Sequence, residues 1–118
     1  MKITKTEDLT VFKRAHKFTL EVYKITEKFP KQEQWGLTNQ MRRSSASICA
    51  NLLEGSYRNN SKEYRQFVGI AKGSSGELKY HLLLAHDLGY LAQDEYTQLG
   101  AEIEEICKML HGLVMSLS

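Results

Sequence analysis

The sequence predicts an all-α fold, an antiparallel up-down-up-down four-helix bundle, and three observations predict it. Apolar residues recur at steps of three and four along four long segments. No stretch alternates with period two, so nothing reads as a strand. The links between segments are short, which favours antiparallel neighbours. At 118 residues the chain reads as a single domain, 1–118, with helices at about 8–29, 35–54, 61–89 and 94–117. A core of that size stands without metal or disulfide staples.

The first helix is expected to start on an Asp8 cap and to carry Leu9, Phe12, Ala15, Thr19, Val22, Thr26 and Phe29 on one stripe. Pro30 stops it. After the polar link Lys31-Gln32-Glu33-Gln34, the second helix places Leu37, Met41, Ser44, Ile48 and Leu52 together. Gly55 then reads as a left-handed helix stop. Asn59-Asn60-Ser61 makes a turn, with Ser61 expected to cap the third helix. That helix bears Tyr64, Phe67, Val68, Ala71, Ser75, Leu78, Leu82 and Ala85 on one face and ends near Gly89. Gln93 or Asp94 is expected to cap the fourth, whose stripe is Leu99, Ile103, Ile106, Leu110, Leu113 and Leu117.

The third helix has a second face. At about 100° per residue, Gly69, Gly73, Gly76 and Tyr80 lie roughly opposite its core stripe, with Leu83 and Leu84 beside them. A glycine inside a helix costs up to about 1 kcal/mol relative to alanine. Close approach of another helix explains three of them on one face; a locally weak or kinked helix is the alternative. The segment "HLLLAHDLGYL", 81–91, sends leucines in nearly every direction, as a helix buried on both sides does. In so small a chain the second side belongs to another subunit, so self-association is expected.

Composition is that of an ordinary globular protein, 42% apolar and 25% charged. No apolar run approaches the length needed to cross a bilayer. Met1-Lys2-Ile3-Thr4-Lys5 lacks the apolar stretch of a signal peptide, which makes the cytoplasm the expected compartment. Cys49 and Cys107 are too few for a disulfide framework and read as buried, inert thiols. Charge is unevenly spread. Residues 1–80 hold 15 of the 16 Lys/Arg and 8 of the 14 Asp/Glu, whereas residues 81–118 hold one lysine and six acids. That division sets a basic region against an acidic one.

Catalysis finds little support. His16, His81, His86 and His111 are scattered, and none joins a metal-ligand pattern, so no metal or cofactor is expected. Ser44-Ser45 and Ser74-Ser75 lack the strand–turn context of a nucleophile and suit helix contacts better. The glycines of "KGSSGELK", 72–79, follow no strand and form no phosphate loop. Glu54 sits in the last turn of the second helix, against the helix dipole. It is either half of a local ion pair with Arg58 or a site residue.

The basic residues give the better lead. Lys62, Arg65, Lys72 and Lys79 step by three, seven and seven along the third helix, Arg58 precedes them, and Arg42 and Arg43 head the antiparallel helix before. Such a band fits a phosphate backbone, where each neutralised phosphate releases counterions. Tyr57, Tyr64 and Tyr80 lie among the cations and suit stacking on unpaired bases, although Tyr64 points to the core. The competing reading is a solvated, self-repelling face. Repeated around an oligomer, the band would sum to a strong field.

Three blocks carry a family resemblance: "DLTVFKRAHKFTLEVYKITEKFP", "GLTNQMRRSSASICANLLEGSYRNNSKEYRQF" and "AKGSSGELKYHLLLAHDLGYL". The middle one is the most specific, with its double arginine, small residues, Ser-Ile, and Asn-Leu-x-Glu-Gly followed by an arginine. Over nearly its whole length the chain resembles the four-helix-bundle proteins associated with intervening sequences in bacterial 23S rRNA genes, the S23-type proteins. Phe12 stands where that family often carries tryptophan, and Cys49 where proline is frequent. The resemblance implies a bundle that assembles into a ring, commonly a homopentamer, with no known enzymatic activity. A related group serves as accessory proteins of diversity-generating retroelements, where a basic pentamer binds nucleic acid and a reverse transcriptase. Arg42, Arg43, Asn51, Glu54, Gly55 and Arg58 are the family-typical positions here.

Together these readings lead to a non-enzymatic oligomer that binds RNA or DNA through Arg42, Arg43, Arg58, Lys62, Arg65, Lys72 and Lys79. The alternative is a scaffold for a protein partner such as a polymerase or reverse transcriptase. It would use the glycine and leucine face or the acids Glu102, Glu104 and Glu105, without binding nucleic acid itself. A small-ligand pocket is a third option, for which the sequence shows no convergent polar groups.

Overall fold

The computed structural model describes residues 5–118; residues 1–4, on which most of the leader reading rests, lie outside the described residues. Four helices carry the fold: α1 (Thr10–Thr26), α2 (Leu37–Ser56), α3 (Ser61–Asp87) and α4 (Gln93–Ser116). Single 3-10 turns at Thr6–Asp8 and Lys31–Glu33 precede α1 and α2.

The contacts between helices show their directions. Phe12, Thr19 and Thr26 of α1 meet Cys49, Ser45 and Arg42 of α2, so one helix rises as the other falls. Along α2 and α3, Ser44 meets His81, Ser47 meets Ser74, and Gly55 lies against Tyr64 and Phe67. Arg65, Lys72 and Lys79 of α3 meet Ser118, His111 and Glu104 in or just after α4. Arg14 to Glu102 and Lys28 to Glu95 then close α4 onto α1. Every neighbouring pair is antiparallel. Among the described residues the backbones of α1 and α3 do not approach each other, nor do those of α2 and α4, so these are the diagonals of a four-helix bundle.

The expected stripes of α2, α3 and α4 line the core through Met41, Ile48, Leu52, Val68, Leu78, Leu82, Ile103, Ile106 and Leu110, all but sealed from solvent, whereas Tyr64, Phe67, Leu99, Leu113 and Leu117 of those stripes are half-buried at its edge. The α1 stripe needs correcting. Val11, Ala15, Phe18, Val22, Ile25 and Phe29 are buried, while Leu9, Phe12 and Thr19 are only half-buried at its edge. Thr26 of the expected series is buried as well, its Oγ1 donating to the Val22 carbonyl at 2.7 Å, so the core side of α1 is the expected one turned toward Val11, Phe18 and Ile25.

The helix ends differ from expectation in their chemistry. Asp8 makes no cap; α1 follows Leu9 without side-chain help. Asn60 rather than Ser61 caps α3, its Oδ1 accepting from the Glu63 N–H at 2.9 Å while its amide donates to the Glu63 carboxylate. At α4 neither Gln93 nor Asp94 caps; the Glu95 carboxylate reaches back to the Ala92 N–H at 3.0 Å. Gly89 does end α3, at φ 81°, with the Tyr90 N–H bonded to the Ala85 carbonyl and the Gly89 N–H to that of His86. That double closure needs a left-handed residue, which glycine supplies without steric penalty.

Gly55 is no left-handed stop, because among the described residues Gly89 alone has positive φ. It is a buried residue inside α2, and a Cβ there would fall 2.8 Å from Phe67 Cβ and 2.8 Å from Tyr64 Cδ1. Its role is to let α3 approach. Cys49 is half-buried between α1 and α2, and burial pushes its thiol up to about 11. Among the described residues no helix is long and apolar enough to cross a membrane.

Candidate binding surface

The structure does not gather the seven predicted cations on one face. Arg42 and Arg43 are adjacent in sequence, hence about 100° apart on the helix, and leave α2 on different sides. Arg42 folds onto α1, where Nε donates to Thr26 Oγ1 at 2.9 Å, a terminal nitrogen donates to the Tyr23 carbonyl at 3.2 Å, and the guanidinium covers the Tyr23 ring at 4.7 Å. Arg43 instead lines the outer groove between α2 and α3. Antiparallel packing sets it across from Ser74 and Glu77 rather than beside Arg58 and Arg65.

The stripe along α3 also divides. Arg65, Lys72 and Lys79 lean toward α4: Arg65 donates to Ser118 Oγ at 3.2 Å, Lys72 to His111 Nδ1 at 2.9 Å, and Lys79 pairs with Glu104. The Lys79–Glu104 pair raises the lysine and lowers the carboxylate from their ordinary values, each through its bond to the other. Arg58 pairs with Glu54 at 3.6 Å and lies over the Phe67 ring at 4.6 Å. Glu54 thus has a local partner across the helix end. Only Arg58 and Lys79 of the seven meet carboxylates among the described residues. Arg42, Arg65 and Lys72 bond to neutral groups, and Arg43 and Lys62 make no side-chain bond there.

A second basic stripe escaped the sequence reading. Lys13, Lys17 and Lys24 are exposed along the outward side of α1, opposite Val11, Ala15, Phe18 and Val22. Their spacing of four and seven, which keeps one helix face, is the signal in the sequence. On α4 the acids are largely spoken for. Glu102 receives both arms of Arg14, at 2.6 and 2.9 Å, and this bond holds its carboxyl below the usual range. Glu105 lies 4.0 Å from Lys108.

The outward face of α3 is open. A Cβ on Gly69, Gly73 or Gly76 would meet nothing within 4 Å. On and around that face, Ile70, Tyr80, Leu83 and Leu88 are 50%, 59%, 40% and 49% exposed. Leu84, grouped with this face in the sequence reading, is half-buried and packs against the core. Among the described residues nothing accounts for the three glycines.

Ser44, His81 and His86 have partners within the bundle. Ser44 donates to the Met41 carbonyl at 3.3 Å and lies 3.4 Å from His81 Nδ1. Burial lowers the His81 pKa, partly offset by Glu77. His86 bonds Gln93 and stacks on Tyr96. Among the described residues no three metal-binding side chains lie together.

Fold and surface together define a class: an antiparallel four-helix bundle with an open glycine face and dispersed, mostly uncompensated cations. The profile of the 23S rRNA-intervening sequence proteins matches residues 7–112, and the chain belongs to that family. A solved protein of unknown function from the S23 ribosomal protein family of Bacteroides thetaiotaomicron has the same fold, with TM-score 0.79 and 23% identity. The match covers 89% of this chain and 98% of that one. No functionally curated protein matches.

Proposed function

We propose that the chain is a non-enzymatic module that assembles with copies of itself, five to a ring, and that the ring binds RNA or DNA. The observation that carries the assembly is the outward face of α3. Three glycines on one exposed face lower helix propensity without serving any contact among the described residues. A neighbouring helix backed onto that face would use the space they leave and cover Tyr80 and Leu83. The ring number rests on the family resemblance.

The nucleic-acid part rests on charge. Arg43, Lys62, Arg65 and Lys72 keep cations unmatched by carboxylates among the described residues, and Lys13, Lys17 and Lys24 add a second exposed stripe. Ring symmetry would multiply both. A salt titration with a single-stranded oligonucleotide tests this. If about three phosphates are neutralised per copy, affinity for a single strand falls roughly 20-fold between about 50 and 200 mM salt. Affinity that ignores salt, or no binding at low salt, contradicts the reading and favours a scaffold for a protein partner.

A further inference from the structure

We infer that the groove between the first half of α2 and α3 holds one unpaired nucleobase of a single-stranded nucleic acid, stacked on Trp35. This deepens the nucleic-acid reading above and rests on it. Trp35 is the chain's single tryptophan and stands 82% exposed at the groove, a cavity of about 420 Å³. The rest of the lining is polar: Asn39, Gln40, Arg43, Ser44 and Ser47 from α2, Ser74 and Glu77 from α3.

The lining divides into a finished floor and an unfinished wall. On the floor, Ser47 and Ser74 share a hydroxyl bond at 2.9 Å, which Asn51 supports through Ser47. On the wall, the side chains of Asn39, Gln40, Arg43 and Glu77 make no hydrogen bond or ion pair with any described residue. Four unspent polar side chains beside an exposed indole are a poor seat for a protein anchor, which favours an apolar pocket. They suit a nucleotide at each of its parts. The base offers a flat face to the indole. Its edge meets amides that both donate and accept, and its phosphate meets the guanidinium of Arg43. Glu77 can accept from an exocyclic amine, which favours cytosine over uracil, since these differ there in an amine and a carbonyl.

Trp35 alone reports by fluorescence, so the full-length protein can be titrated with cytidine and uridine decamers while anisotropy of the labelled oligomer is followed. Trp35 emission should fall in step with anisotropy. The cytidine decamer should bind at least about threefold tighter, and Glu77→Gln should close that gap. Arg43→Gln should weaken binding about fivefold or more; both changed residues are exposed, so folding is retained. If anisotropy rises while Trp35 emission stays constant and Trp35→Phe binds as wild type, the groove is not the seat and the wider nucleic-acid reading survives. If no oligomer binds at low salt, both fall. If emission shifts with protein concentration alone, Trp35 is covered by another copy and the inference is overturned.

Discussion

Gly55 and Gly73 are both glycines inside helices, and their surroundings differ completely. A side chain on Gly55 would strike Phe67 and Tyr64 at 2.8 Å, whereas one on Gly73 would meet open space. A glycine weakens a helix wherever it sits, so each needs something returned. At Gly55 the return is visible, because α3 lies close enough to α2 to bury Phe67 and Tyr64 partway against it. At Gly73, and equally at Gly69 and Gly76, no described residue supplies it. On the proposed assembly the inner seam and the outer face of α3 are two versions of one device, one satisfied by the fold and the other by a neighbouring copy.

The largest way to break the comparison is Gly55→Leu. Overpacking a seam with no space should destabilise the protein by about 3 kcal/mol, read as a lower denaturation midpoint. Gly73→Leu should leave the fold intact and act on assembly instead. If Gly55→Leu is neutral, the close approach of α3 is not what the glycine is for.

A smaller effect belongs to the opposite seam, where α4 closes on α1 through Arg14 and Glu102. The pair is bidentate, but both side chains remain over a third exposed, at 38% and 35%, so water screens it. Arg14→Ala should cost about 1 kcal/mol, and less at high salt. Its pH dependence has a definite sign. Arg14 holds Glu102 below the ordinary 4.5, so the contribution is complete above that pH and is lost as pH falls through the lower folded-state value. Acid titration of wild type and Arg14→Ala should therefore converge below about pH 4.5; curves that stay parallel would show that the pair contributes nothing.

The smallest effect is the most discriminating. In a lone subunit Gly73→Ala should stabilise by up to about 1 kcal/mol, since the new methyl meets nothing and the helix gains propensity. In an assembly that uses the space it should do the reverse. Thermal melts at two protein concentrations separate the cases.

Much of this was legible in the sequence. Periodicity placed all four helices and the core stripes of α2, α3 and α4, and it placed Gly69, Gly73 and Gly76 outward. Side-chain destinations were harder to read. Thr19 and Phe18 both fit an i, i+3, i+4 series, and packing decided between them. Asn60 and Ser61 are both good caps, and backbone geometry chose Asn60. Arg42 and Arg43 look like one motif in one dimension, yet a single helical step sends the first to α1 and the second to the groove beneath Trp35. The partners of Lys72 and Lys79 lie 39 and 25 positions away on α4, a distance no local pattern spans.

The central claim is that the open face of α3 is a contact between copies. Light scattering during size exclusion, on wild type and Gly73→Leu at micromolar concentration, tests it most directly. The account predicts a single wild-type species of five 13.5 kDa chains and a folded, smaller Gly73→Leu. A wild-type monomer, or a Gly73→Leu protein that assembles as wild type does, would contradict it.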